Sequence, residues 1–141
     1  MLVKVFGSAF FGVDATTITI EVNIKESNYR IAAALQNNQY KIPGKRITIN
    51  MAPADLRKEG SAYDLPIAMG ILAASGQIKS ETIDDYLIMG ELSLDGSLQP
   101  IRGALPIAIK ARAEGFKGFI LPKQNVKEAA IVNDLEVFGV E

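Results

Sequence analysis

The pattern of apolar and polar positions predicts short strands separated by helices, with one strongly apolar helix near the middle of the chain. Residues 16–24 alternate between apolar and polar side chains, which is the two-residue period of a half-buried strand. Residues 46–51 repeat that alternation. Over about 64–75 nearly every residue is apolar, and a helix that is apolar all round must be buried on every side. We therefore expect this helix to form the centre of the core.

Further strand signals lie at residues 2–13, 86–89, 119–121 and 135–140, and further helix signals at about 29–37, at 103–114 and from 125 onward. Residues 92–99 contain an Asp-Gly pair between two short strand-like runs, which is a strong hairpin signal. Helices separated by strands suggest helices that lie on a sheet, and the hairpin makes that sheet mixed. The predicted fold class is therefore α+β.

The helix ends carry signals of their own. Asp64 is a predicted N-cap of the apolar helix, and Gly76 stands where a C-terminal cap belongs. Asn125 and Glu128 have the spacing of a capping box, which predicts that both side chains bond the first turn of the last helix.

Composition limits the chemistry that this chain can perform. Its 141 residues, 48% hydrophobic and 22% charged, predict one globular domain. There is no Cys and no His, so disulfides, thiolate catalysis and imidazole metal sites are excluded. The net charge of -1 provides no overall attraction to nucleic acid or to a membrane. Without a signal-peptide pattern or a membrane-length apolar run, we expect a cytoplasmic protein with no membrane partner.

The sequence has neither the phosphate-loop motif nor the glycine-rich dinucleotide motif, and it shows no acidic cluster with the spacing of a metal-binding loop. We therefore predict no cofactor and no metal for this chain itself.

The charged loop before the apolar helix suggests an active site. Ser61 follows Lys58-Glu59-Gly60, and a Ser nucleophile that has no His can use a lysine whose pKa is lowered by burial. Lys58 and Lys110 are the candidates for that lysine. The simpler interpretation is a solvated serine beside surface charges.

Other charged groups suggest binding surfaces. A basic patch for phosphate contacts could form from Lys41, Lys45, Arg46, Arg57 and Lys58. Asp55 and Glu59 dilute its charge. Two acidic pairs, Asp84 with Asp85 and Asp134 with Glu136, are interpreted as solvated, because acid–base chemistry needs carboxyl groups that are partly buried.

Three stretches resemble one protein family. Residues 47–78, ITINMAPADLRKEGSAYDLPIAMGILAASGQI, are similar to the N-terminal domain of the ComM/YifB family of magnesium-chelatase-related AAA+ ATPases, as are residues 90–108 and 118–125. The resemblance covers residues 1–141 as a single Lon-protease-like domain, a fold shared with ribosomal-protein-like domains. It implies a parent protein whose ATPase module, with ATP and Mg²⁺ as cofactors, lies outside this sequence.

The resemblance also implies that peptidase chemistry is lost. Lon-type peptidases place the nucleophilic Ser after a Lys-Asp-Gly-like turn, and the matching position here is Ala62, or Asp64 if the match is shifted to the helix entrance. The Lon lysine follows a Pro-Ile-Gly-Gly turn, and residues 100–103 lead instead to Leu105. We expect no catalytic residue, with Ser61 and Asp64 as the remaining candidates.

The family implies a non-catalytic accessory domain that helps ring assembly or DNA engagement during branch migration in transformation and recombination. The implied partners are its own AAA+ module and neighbouring subunits of a ring, with DNA as a further candidate. Our predicted interaction surface comprises Arg57, Lys58, Glu59 and Arg102. Two alternatives stay open: a Lon-type Ser-Lys hydrolase that uses Ser61, and an accessory to magnesium-chelatase-like metal insertion.

One junction departs from the family pattern. At Ile24 and Lys25 the strand pattern passes into the helix pattern without a turn, and family members carry an extra Gly-Leu-Pro-type strand and turn there. Because such a junction normally needs a loop, we predict that roughly twenty residues are missing and that Ile24–Lys25 is not a genuine peptide bond.

Overall fold

The computed structural model describes residues 1–11, 14–25, 46–53, 61–79 and 81–141. Within these residues the chain forms eight strands and three α-helices. In chain order they are β1 (Leu2–Phe11), β2 (Asp14–Lys25), β3 (Arg46–Ala52), α1 (Asp64–Ala74), β4 (Tyr86–Ile88), β5 (Glu91–Leu92), β6 (Leu98–Gln99), α2 (Ala104–Ala113), β7 (Gly118–Pro122), α3 (Val126–Ala129) and β8 (Glu136–Val140). The helix predicted at about 29–37 and the charged loop at 54–60 lie outside the described residues.

Six strands form one sheet in the order β3-β2-β1-β4-β7-β8. Neighbours are antiparallel from β3 to β1 and parallel from β1 to β8. The predicted α+β fold with a mixed sheet is therefore confirmed. The predicted hairpin is also confirmed as β5 and β6, but it forms a separate ribbon. The sheet is mixed because β1 has an antiparallel neighbour on one side and a parallel neighbour on the other.

Helix α1 covers one face of β1 and β2. The inward residues of β2 are fully buried beneath it, which confirms the alternation read from residues 16–24; they are Ile18, Ile20 and Val22. Gly70 allows the close approach, since a Cβ at that position would lie 2.6 Å from Cγ2 of Val22. Two hydrophobic side chains of α1, Ile67 and Ile71, are only half-buried. The expectation of burial on every side is therefore met on the sheet side alone.

The other face of the sheet carries α2 and α3. Phe6 of β1 meets Phe116, just after α2, with ring centroids 5.3 Å apart in an edge-on arrangement. Gly139 of β8 lies against α3, where an added Cβ would be 2.5 Å from Cγ2 of Val126. Successive side chains of a strand point to opposite faces, so these contacts place α2 and α3 on the face opposite α1.

Helices α1 and α2 end in the same way. Gly76 has a positive φ of 79°, and the amides of Gly76 and Gln77 bond back to the carbonyls of Ala73 and Leu72. This pair of bonds is the Schellman motif, and it confirms the predicted cap. Gly115 ends α2 with the equivalent pair of bonds, at a φ of 84°.

The predicted N-cap of α1 is wrong, whereas the predicted helix start at Asn125 is confirmed without its capping bonds. Tyr63 occupies the N-cap position of α1, and Asp64 is the first helical residue. Asn125 does precede α3, but neither its side chain nor that of Glu128 bonds the first turn of that helix. In all three cases a tertiary partner takes the side chain instead, which local spacing cannot reveal.

Candidate functional site

The entrance of α1 is fixed to the segment that follows β4. A short 3-10 turn, Ser61–Tyr63, leads into the helix. The amide of Gly90 donates to the carbonyl of Ala62 at 2.9 Å, and the carbonyl of Gly90 accepts from the amide of Leu65 at 3.0 Å. Gly90 also has to be small, because a Cβ there would lie 3.0 Å from Cδ2 of Leu98 and 3.1 Å from Cβ of Leu65. Backbone bonds therefore define the position of this entrance.

The Asp64 carboxylate extends the same contact to the β5–β6 hairpin. Its Oδ2 accepts a hydrogen bond from the amide of Leu92 at 3.0 Å, and the side chain is half-buried. A carboxylate in the first helical turn also interacts favourably with the helix dipole. Asp64 therefore has a structural partner in the hairpin.

Tyr63 packs the entrance of α1 against β1. Its ring is buried against β1, where a Cβ on Gly7 would lie 3.6 Å from Cδ1 of the ring. Burial raises the pKa of the Tyr63 phenol, because a phenolate would lose its hydration there. The phenol is therefore held in its neutral form, and its contribution to stability is lost only when the pH rises above the ordinary tyrosine range.

The entrance of α2 is held by side chains from the region of α3. Asn125 is buried; its Oδ1 accepts from the amide of Ile101 at 2.9 Å and its Nδ2 donates to the Ile101 carbonyl at 3.0 Å. Glu128 Oε1 accepts from the amide of Leu105 at 3.3 Å. The supposed capping-box residues are thus tertiary tethers for the turn before α2. The capping-box spacing was the sequence signal for these residues, and it predicted the wrong partners.

Gly103 completes this turn. Its φ is 73°, and an added Cβ would lie only 2.6 Å from Cγ of Phe10. Glycine is required on both counts, because left-handed backbone and close packing each disfavour a side chain.

The two positions that correspond to the Lon Ser and Lys carry no chemistry. Ala62 and Leu105 are apolar, and both pack half-buried against the hydrophobic core. Neither can act as a nucleophile or as a base. At the two positions that the resemblance matches to a Ser-Lys pair, the side chains therefore serve packing.

Of the lysines proposed for a Ser-Lys hydrolase, the structure describes Lys110. Lys110 is 47% exposed, and its Nζ lies 3.7 Å from Oε1 of Glu114. An exposed lysine that is paired with Glu114 does not fit the buried base that the hypothesis requires. Ser61 lies in the 3-10 turn, whereas Lys58 lies outside the described residues.

Of the predicted interaction surface, the structure locates Arg102. It is exposed in the turn ahead of α2. Arg57, Lys58 and Glu59 lie outside the described residues. Arg46, from the suggested basic patch, is exposed at the start of the edge strand β3.

Two general features of the described residues also bear on function. They contain no group of three or more acidic side chains that could hold a metal ion. They also contain no helix that is long and apolar enough to cross a membrane.

Comparison with known proteins places the chain in a family. Residues 12–125 match the family profile of subunit ChlI of Mg-chelatase. The competence protein ComM of Haemophilus influenzae is 40% identical over 154 residues, which cover 97% of this chain and 30% of ComM. The YifB protein of Escherichia coli is 42% identical over 142 residues, covering 89% of this chain and 28% of YifB. This chain belongs to the Mg-chelatase-related ComM/YifB family.

The family relationship confirms the resemblance read from residues 47–78, and it extends weakly to Lon. Lon protease 2 of Bacillus subtilis is 32% identical over 90 residues, which cover 63% of this chain and 15% of that protease. The chain spans less than a third of the length of its ComM and YifB relatives.

The alignment lengths contain a further observation. The ComM alignment has 154 positions, whereas 97% of 141 residues is about 137, so about 17 positions have no counterpart here. In the structure β2 runs through Ile24 and Lys25 without a break. The proposed missing segment between these two residues stays a prediction.

Proposed function

We propose that this chain is a non-catalytic accessory domain of an AAA+ ATPase of the ComM/YifB family. The observation that carries the proposal is the pair Ala62 and Leu105, which place apolar packing residues where a Lon-type peptidase needs its Ser and Lys. In this proposal ATP and Mg²⁺ are bound by another part of a longer protein, because this sequence has no phosphate loop.

The proposed setting is DNA processing in the cytoplasm. Support comes from the similarity to a relative that is named a competence protein. In this role the domain contacts its own ATPase module and neighbouring ring subunits and helps to engage DNA during branch migration. Arg57, Lys58, Glu59 and Arg102 form the proposed contact surface.

A peptidase assay tests the non-catalytic part of the proposal. We expect no hydrolysis of a fluorogenic unstructured substrate such as labelled casein by the purified chain. Ser61→Ala and Lys110→Ala serve as comparison variants. Activity in the original chain that either substitution removes would overturn the proposal in favour of a Ser-Lys hydrolase.

DNA binding tests the proposed surface. Fluorescence anisotropy with a labelled four-way junction should show that reversing Arg57 and Lys58 to Glu weakens binding by about tenfold or more, because phosphate contacts dominate such affinity. Lys127→Glu, on the exposed side of α3, is the matched control. Binding that is equal in the reversed variant and the original chain would exclude this surface.

Metal insertion remains the less supported alternative. The family profile carries the name of Mg-chelatase, but the residues that the structure describes offer no acidic cluster for the ion. No observation in those residues favours this function over the accessory role.

A further inference from the structure

One part of the sheet has an open apolar strip. Tyr86 of β4, Ile120 of β7 and Phe138 of β8 lie on neighbouring strands, and the rings of Tyr86 and Phe138 meet edge-on with centroids 5.9 Å apart. The Tyr86 ring lies across Gly118, where an added Cβ would be 2.9 Å from its Cδ1. Phe138 is 46% exposed, and Tyr86 and Ile120 are half-buried. We call these three side chains the open strip.

The open strip lies on the same face of the sheet as α1. Residues that pair across neighbouring strands lie on one face of the sheet, and one such row is Phe6, Leu87, Phe119 and Val137. Phe6 contacts Phe116, so this row faces α2. Ile120 and Phe138 are each one residue further along their strands, so they point to the opposite face. Helix α1 contacts mainly β1 and β2, and its contacts with β4, β7 and β8 are fewer.

Acidic side chains lie at one end of the open strip, where the parallel strands β4, β7 and β8 begin. Asp84 and Asp85 directly precede β4, Asp134 lies just before β8, and Glu136 begins β8. All four are exposed, and within the described residues their carboxylates form no ion pair. Lys117, before β7, is the cation among them. This end of the open strip therefore has a net negative charge, and it fits a partner that combines an apolar surface with a positive charge at one end.

The outer face of α2 has that chemistry. Ile109 is 49% exposed, and the spacing of four and three residues places Leu105, Ile109 and Arg112 on one side of the helix. Arg102 stands just ahead of the helix. In the described part of the chain neither arginine has a carboxylate partner, whereas the neighbouring Lys110 pairs with Glu114. We call Arg102, Leu105, Ile109 and Arg112 the basic stripe.

We propose that the basic stripe of one copy of this chain docks on the open strip of a second copy. The two surfaces lie on opposite faces of one sheet, so a single molecule cannot bring them together. A helix about 10 Å in diameter matches three strands, which span about 10 Å. Because donor and acceptor surfaces differ, the contact is head-to-tail and can close a ring. This proposal stands independently of the proposed role in DNA processing.

The test uses sedimentation velocity of the whole chain, from about 10 μM to about 1 mM at low salt, where surface charges are least screened. We expect concentration-dependent association that weakens at least tenfold in Arg112→Glu and in Glu136→Lys. In a head-to-tail contact, the unchanged Arg112 of the Glu136→Lys variant can dock on the unchanged Glu136 of the Arg112→Glu variant. An equimolar mixture of the two variants should therefore associate again, although neither does so alone.

Two matched controls separate this contact from general charge effects. Lys127→Glu and Glu81→Lys make the same charge changes at exposed positions outside both surfaces, and they should leave association unchanged. Phe138→Ala should weaken association, whereas Ile131→Ala, at a more exposed apolar position, should not. Circular dichroism confirms that each variant is folded.

Three results would overturn the proposal. These are a wild-type chain that stays monomeric throughout the concentration range, association that Arg112→Glu and Glu136→Lys leave intact, and a variant mixture that fails to associate. The last result would indicate a contact in which each copy uses the same surface. A failure of DNA binding would leave this inference untouched, since the readout is self-association alone.

Discussion

The entrances of α1 and α2 are held by different kinds of bond. At α1 the backbone of Gly90 bonds the backbone at Ala62 and Leu65, and the Asp64 carboxylate adds one contact. At α2 the bonds come from side chains, because the Asn125 amide group bonds both the amide and the carbonyl of Ile101. A backbone contact tolerates most side-chain changes, whereas a tether made by side chains can be removed by one substitution. We therefore expect the α2 entrance to be the more sensitive of the two.

The glycines should show the largest difference. We expect Gly103→Ala to lower the free energy of unfolding by about 3 kcal/mol, because it adds left-handed strain to a clash with Phe10. Gly90→Ala adds a tight contact alone and should cost about 1 kcal/mol. Urea unfolding followed by circular dichroism measures both. Equal effects would mean that the two entrances do not differ in this respect.

The Asn125 tether should come next. We expect Asn125→Ala to cost about 2 kcal/mol, because the buried amide and carbonyl of Ile101 both lose their partner. Asn133→Ala, the same change at an exposed position, is the matched control and should change the free energy of unfolding by less than about 0.5 kcal/mol. The interpretation of Asn125 as a tether fails if the two variants are equally stable.

The Asp64 contact should have a smaller effect. Asp64→Ala removes the acceptor for the Leu92 amide and a favourable charge at the helix start, for a loss of about 1 kcal/mol. Asp64→Asn keeps an acceptor oxygen and should lose less. Hydrogen exchange at the Leu92 amide reports the contact directly. Unchanged protection in Asp64→Ala would show that the hairpin does not depend on this carboxylate.

The tip of that hairpin should show the smallest effect. The amide and the hydroxyl of Ser97 both donate to Asp95 Oδ1, and these bonds lower the pKa of the carboxyl group. Because the folded-state pKa is below the unfolded value, the stabilisation is present above the unfolded pKa and is lost as the pH falls through the folded one. An NMR titration of the Ser97 amide should give a midpoint below that of free aspartate. A midpoint at or above that value would contradict the assigned bonds.

Local pattern was enough to predict most of the elements. The alternation of residues 16–24 gave β2 its buried face, the Asp-Gly pair gave the hairpin, and Gly76 gave the end of α1. Each of these signals depends on a period or a dihedral angle that neighbouring residues set by themselves. The family motif at residues 47–78 added the relationship to ComM and YifB, which physical pattern alone does not contain.

The tertiary structure alone determined where the polar side chains are used. Asp64, Asn125 and Glu128 have the sequence signals of helix caps, yet each bonds a main-chain group more than twenty residues away. The strand register likewise placed Phe138 on the face of the sheet opposite helix α2, which carries Arg112. A side chain takes the partner that the fold brings nearest, and sequence spacing describes only the partners within one turn.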